Sequence, residues 1–521
     1  MTKHRRPGNH VTDRIVHLCT SPTSVSSLIA EDPNLAPGDA WERLYGTRVL
    51  KSISETYDSA WEPNPPDEVD ELARATKCGN WGPTKPSELF LKIYHDALCT
   101  LDQDPHRAIV SPPLIGSYGF MPLTIISVMP DIVRHMSNVI VRAQDEVFLA
   151  TNYWENSVAS KYITNAIREL DRRAALKGTK IVLKILYDRG SQKQLYEPHY
   201  VVPDKEFGSE RVNLPLPSEI PNIDMQVVNF HKPLLGTFHA KYMVVDRKIA
   251  LLQSNNIQDN DNLEMLVHLE GPIVDSLYDM ALISWHKKLD PPLPSYKSPA
   301  ANRRPAGSTS GTSDGVAPEG DKTQGPAKQI DVETGKTNVA GAAGLSGGSL
   351  PEHTAEESHY DRDIAGEVDR SRSSLAPRPG RTHLQAVTRL LNHTLNEGFP
   401  GDPNAPPCPP GDFMTPYIPH HAHTPYPMAL VNRAPYGTPS HRNASTPQNG
   451  AWLSALRNAK REVLIVSPTL NASPLLPAIR AACERGVDVH CYVTLSYDDA
   501  VRPHQHIDLH PPYPSTITSY H

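Results

Sequence analysis

Thr237-Phe238-His239-Ala240-Lys241-Tyr242-Met243-Val244-Val245-Asp246 begins the stretch that decides the fold. It continues through Gln253-Ser254-Asn255-Asn256 to Asn262-Leu263-Glu264. Apolar and β-branched residues surround His239 and Lys241, so this part reads as a strand. Side chains two apart on a strand share a face, which puts an imidazole and an ammonium in one pocket. Asp246 stands an odd number of positions after His239. It falls either on the other face or in an Asp246-Arg247-Lys248 turn ahead of a return strand, Ile249 to Leu252, and reads as a support. The return strand delivers Ser254 and Asn256, at an even spacing, beside the His/Lys face. Any one of these residues suits an ordinary buried hairpin; the whole set at these spacings does not.

Displacement at phosphorus is the chemistry that suits such a cluster. A neutral imidazole is a nucleophile able to form a covalent phospho-intermediate, and lysine with hydroxyl and amide donors holds phosphodiester oxygens without a metal. A carboxylate such as Glu264 can orient an imidazole and stabilise its charged form.

His239-x-Lys241 with Asp246, then Ser254-x-Asn256 and Asn262-x-Glu264, resembles the HKD signature of the phospholipase D superfamily, and most of all its cardiolipin synthase-like branch. The resemblance implies an α/β fold, a mixed sheet flanked by helices, in a pseudo-two-lobed chain. It implies a catalytic set of His239, Lys241, Asp246 and Glu264, with His239 as the nucleophile and Asp246 supporting the hairpin. Lys241, Ser254 and Asn256 would bind the substrate phosphate, and a second HKD histidine would serve as general acid and base. No cofactor and no metal are implied. Gln253 stands where the family usually carries glycine.

The remaining composition bounds the alternatives. The net charge of −7 gives no global basic footprint for nucleic acid. The 51 prolines among 521 residues are roughly twice the average usage of about 5% and point to long non-globular stretches. Cysteines at 19, 78, 99, 408, 483 and 491 show no CxxC spacing, so they read as reduced thiols of an intracellular protein. Its place is expected to be cytoplasmic or peripheral to a membrane, with mitochondria as the alternative. No apolar run approaches the roughly 20 residues of a membrane span, so membrane contact is expected to be peripheral.

Residues 1–84 carry no readable chemistry, beyond a helix expected near Ala40 to Leu50. A first lobe is expected over 85–290. Its helices are marked by Leu89, Ile93, Ala97 and Leu98, and by Pro130 to Gln144. Strand Glu146–Thr151, an amphipathic helix from Val158 that stops before Gly178, and strand Lys180–Tyr187 make a βαβ unit. Strand Met225–Phe230, the hairpin, strand Met265–Leu269 and a helix through Trp285 follow. His231 reads as a loop histidine that could line the same mouth. Residues 291–380 lack large apolar side chains and are expected to be a disordered linker. A short helix, Leu384 to Leu395, is expected next, and then a Pro- and His-rich loop in which His420, His421 and His423 lack metal-ligand partners.

The internal repeat lies in 381–521. Arg461-Glu462-Val463-Leu464-Ile465-Val466-Ser467 echoes Asp145-Glu146-Val147-Phe148-Leu149-Ala150-Thr151. Each copy is followed by an amphipathic helix, a glycine (Gly178 or Gly486) and a strand ending in Tyr-Asp. Two copies imply an incomplete second lobe. After Asp498 the periodicity stops and no second His-x-Lys appears, a pattern expected of a truncated or mis-spliced reading frame. The missing acid would then come from a second subunit of a homodimer, from His231, or from nowhere, and the chain alone is expected to be weak or inactive. The favoured function is a phosphodiesterase or phosphatidyltransferase acting on phospholipid. A nuclease and an inactive phosphate-binding relative are the alternatives, with nucleic acid the less favoured substrate.

Overall fold

The computed structural model describes residues 10–46, 68–102, 104–127, 129–233, 236–259, 262, 264–300, 417–420, 424–435, 445–467, 470, 472 and 474–493. Most of the expected linker and the expected helix Leu384 to Leu395 lie outside the described residues, as do His421 and His423.

Among the described residues the chain opens with α1 (Asp13–Cys19), α2 (Val25–Glu31), α3 (Pro37–Tyr45), α4 (Glu68–Lys77) and α5 (Glu88–Cys99). Strand β1 (Gly116–Ser127) follows, then α6 (Met129–Ile140), β2 (Glu146–Ala150), α7 (Val158–Lys177) and β3 (Ile181–Tyr187). Next come β4 (His199–Val201), α8 (Asp204–Phe207), β5 (Ile223–Lys232), β6 (Gly236–Thr237), β7 (Tyr242–Val245), β8 (Ile249–Gln253), β9 (Glu264–Glu270) and α9 (Ile273–Trp285). Beyond them lie β10 (Tyr417–Pro419), β11 (Tyr426–Ala429), α10 (Pro447–Asn458), β12 (Glu462–Val466), α11 (Leu475–Glu484) and β13 (Asp488–Tyr492).

Among the described residues, β1 to β11 form one mixed sheet whose main order is β10-β1-β9-β8-β7-β2-β3-β5-β4. β2, β3 and β5 are parallel; β7, β8, β9 and β1 continue the sheet antiparallel. Period-two alternation fixes its two faces. Phe148, Leu186, Val228 and Val244 bury against α9 and the N-terminal helices. Val147, Leu149, Leu183, Ile185 and Met243 bury against α6 and α7. The result is the expected α/β fold, a mixed sheet flanked by helices.

The βαβ unit forms as its caps dictate. Ser157 and Ser160 close a capping box at the start of α7, and the Asp259 carboxylate accepts the Val158 and Ala159 N–H groups there. Gly178, at φ 65°, ends the helix in the left-handed conformation that costs glycine least. β1 has no counterpart in the sequence reading. Pro122 and two glycines break its strand signal, and the structure absorbs them with a register shift between Phe120 and Leu123.

This topology gathers one edge. The C-terminal ends of β2, β3, β5, β8 and β1 lie beside the N-terminal ends of β7 and β9, because the latter two run antiparallel to their neighbours. Carboxyl ends of parallel strands are where open α/β sheets place ligands.

Candidate active site

His239 and Lys241 sit at that edge, and not within a strand as expected. The β7 ladder begins at Tyr242, opposite Ala150 and Leu252. Two pulls explain the shift. β6 pairs backwards onto β5, His231 opposite Thr237. Beyond Tyr242 the chain gives β8 one further bond, from the Gln253 N–H to the Lys241 carbonyl at 3.1 Å. The residues between make no ladder pair; His239 is exposed while Lys241 is only 4% exposed.

The two side chains nevertheless meet. Lys241 Nζ lies 3.2 Å from both His239 ring nitrogens and donates to the His239 carbonyl at 3.0 Å. Desolvation first, and the Lys241 charge second, hold the imidazole down at about 4, so it is neutral at physiological pH although one side of the ring is open to solvent. Burial lowers Lys241 to about 8, and the nearby Glu264 carboxylate opposes that fall. Glu264 itself is raised by burial and pulled back by Ser254, Lys241 and Asn262. The Ser254 hydroxyl donates to Glu264 Oε2 at 2.5 Å and accepts the Met265 N–H at 2.8 Å.

The other predicted residues separate. Asn256 is half-buried after β8, and its carboxamide oxygen has no partner among the described residues. Asn255 beside it is fully buried and donates to the Asn256 carbonyl at 3.0 Å. Asp246 does not reach the site. It stands at the opposite end of β7, roughly 15 Å away at about 3.3 Å per residue. There its carboxylate accepts the backbone N–H groups of Gln144, Asp145 and Glu146 at 2.8–2.9 Å. Asp246 and Arg247, at φ 51° and 50°, form the primed turn that matches hairpin twist.

At this edge the role of Asp188 escaped the sequence reading, while Gln253 and His231, both singled out there, stand in settings it did not anticipate. Gln253 is buried, and neither atom of its amide has a partner among the described residues. Asp188, just past β3, accepts the Phe238 N–H on Oδ2 at 2.7 Å and the His231 Nδ1–H on Oδ1 at 2.8 Å. His231 is therefore not a loop histidine. It is a residue of β5 held by a buried carboxylate that burial raises to about 6. The available signal was the position of Tyr187-Asp188 at the carboxyl end of a parallel strand.

No family model matches the chain, and no curated protein does. Among solved structures it is similar to NucT from Helicobacter pylori, at 19% identity over 31% of this chain and 94% of that one, with a TM-score of 0.22. Nuc from Salmonella typhimurium, a phospholipase D family member, follows at 13% identity over 32% and 94%, TM-score 0.21. Polyphosphate kinase from Porphyromonas gingivalis follows at 19% identity over 31% and 25%, TM-score 0.20.

Proposed function

We propose that the chain is a phosphodiesterase or phosphatidyltransferase that works on phospholipids through a phosphohistidine on His239. The observation that carries this reading is the exposed His239 imidazole held 3.2 Å from the buried Lys241 Nζ at an open sheet edge. A neutral ring has a lone pair to give to phosphorus, and a desolvated ammonium is a strong electrostatic partner for the oxygens around it. Ser254 and Glu264 extend the polar edge beside Lys241. Phospholipid is preferred to nucleic acid because the net charge of −7 supplies no overall attraction for a polyanion.

Labelled phosphatidylglycerol and single-stranded DNA, offered side by side to the purified chain, test the reading. The expected result is lipid turnover that His239→Ala removes; turnover of DNA alone would make the protein a nuclease. The pH profile follows from the two groups of the pair. His239 is a nucleophile only above about 4, where it is deprotonated, and Lys241 is a cation only below about 8. Activity should rise through the first value, fall through the second and hold a plateau between them.

A further inference from the structure

We infer that His231 is the second imidazole of this site, the acid that protonates the leaving oxygen when His239 attacks phosphorus. The inference rests on the reading of His239 as nucleophile. Strand geometry carries it. His231 opposes Thr237 in an antiparallel ladder, which puts Phe230 opposite Phe238 and makes His239 a diagonal neighbour of His231. The rings of Phe230 and Phe238 are 5.6 Å apart, so the opposition persists past the last ladder pair. Both phenyl rings belong to the core on one face of this ribbon. Phe230 and Lys232 also line a cavity of about 380 Å³ on that face, together with His199 and His286. Alternation then turns His231 and His239 to the opposite, solvent-facing side.

Diagonal neighbours on such a ribbon stand roughly 7–8 Å apart, enough for a tetrahedral phosphorus between two rings. Asp188 fixes the arrangement from beneath. One carboxylate oxygen takes the Nδ1–H of His231, and the other takes the N–H of Phe238, the residue before His239. That leaves Nε2 as the working end of His231, beside Gly190. A side chain there would crowd it, because a Cβ on Gly190 would lie 3.1 Å from Nε2. Asp188 is a positioning residue, since its two oxygens tie the His231 ring to the backbone just before His239.

The chemistry balances. A ring nitrogen of His239 gives its lone pair to phosphorus, the P–O bond breaks, and the departing oxygen keeps the electron pair and takes the proton from His231 Nε2. Water then attacks: its oxygen bonds to phosphorus, its proton passes to His231 Nε2, and the P–N bond returns its pair to His239. An alcohol in place of water gives transfer.

Leaving-group dependence separates this role from a structural one. The probes are phosphatidylglycerol, whose alkoxide needs a proton, and bis(p-nitrophenyl) phosphate, whose nitrophenolate does not. His231→Asn keeps a donor for Asp188 but has no proton to deliver, and far-UV circular dichroism establishes that it folds. We expect its turnover of phosphatidylglycerol to fall about 10²–10⁴-fold. Its nitrophenolate burst of one equivalent per chain should persist, and added imidazole should restore turnover. Equal losses on both probes, or unchanged phosphatidylglycerol turnover, would overturn the assignment of His231 while leaving His239 in place. A wild-type chain with neither burst nor turnover, or a burst that survives His239→Ala, would instead remove the nucleophile and this proposal with it.

Discussion

Asp145-Glu146-Val147-Phe148-Leu149-Ala150-Thr151 and Arg461-Glu462-Val463-Leu464-Ile465-Val466-Ser467 open two units built in the same way. In each, a strand, a helix and a parallel strand follow, with Gly178 or Gly486 in a left-handed conformation between the last two. Their surroundings differ. β2 and β3 lie between β7 and β5, and every residue of both is buried. Among the described residues β12 and β13 pair only with each other, and Leu464, Val466 and Tyr492 are 67, 77 and 68% exposed. Apolar pattern and a glycine after the helix are what the two units share. Only neighbouring strands make such a unit a core, and only the unit with neighbouring strands contributes to the edge that carries His239 and Lys241.

The largest effect should come from the edge that the first unit helps to build. On the proposed phosphohistidine route, His239→Ala is expected to lower turnover at least about 10³-fold. Single-turnover assays with labelled lipid check it. A residual rate within tenfold of wild type would detach the chemistry from this edge.

Packing energies should divide the two units next. Phe148→Ala removes a fully buried ring that contacts Tyr242 and Trp285 and is expected to cost about 3–5 kcal/mol. Leu464→Ala, at the matching position, should stay within about 0.5 kcal/mol because its side chain is already in water. Chemical denaturation midpoints measure both. A cost for Leu464→Ala like that of Phe148→Ala would mean that something covers the second sheet in solution.

The matched glutamates give a pH-dependent version of the same test. Glu146 is buried, accepts the Ser295 N–H at 2.8 Å and is pushed up to about 8, chiefly by desolvation; Glu462 is exposed. With its folded pKa raised above the unfolded one, Glu146 contributes stability that is present below about 4.5 and lost as pH rises to about 8. Glu146→Gln keeps an acceptor for Ser295 and cannot ionise. It should therefore gain on wild type, by a few kcal/mol, between pH 5 and 8. A pH-independent difference between the two would show that Glu146 is not buried as described.

Period-two apolar runs, the helix stop at Gly178 and the longer strands and helices from Glu146 to Trp285 were legible, because each depends on neighbours in sequence; the short β4, α8 and β6 were not. Where a side chain ends up across the sheet was not. The His239–Lys241 contact forms although the ladder starts only at Tyr242, past both residues. Asp188 and His231, 43 positions apart, meet only because β3 and β5 are adjacent and parallel, which no local pattern encodes. The N-terminal helices gave no chemical signal, yet Asp279 of α9 accepts the Ser26 and Ser111 N–H groups and fastens them to the core.

Asp246 offers the smallest and most discriminating test of how the first unit is framed. Its two carboxylate oxygens receive three backbone N–H groups from the turn that leads into β2, and among the described residues nothing equivalent holds the start of β12. In Asp246→Asn one oxygen can still accept from Asp145 and Glu146, but the new amide N–H₂ faces the Gln144 N–H, donor against donor. A buried donor left without an acceptor costs about 1–3 kcal/mol, and the low end applies here because Gln144 lies near the surface. The loss should appear as a lower denaturation midpoint with an unchanged slope. Because Asp246 sits at the far end of β7 from Lys241, turnover per folded molecule should change less than about twofold, well below the effect of even one lost transition-state contact. A folded Asp246→Asn protein that loses activity by orders of magnitude would show that the two ends of β7 are coupled, and that Asp246 belongs with His239 and Lys241 after all.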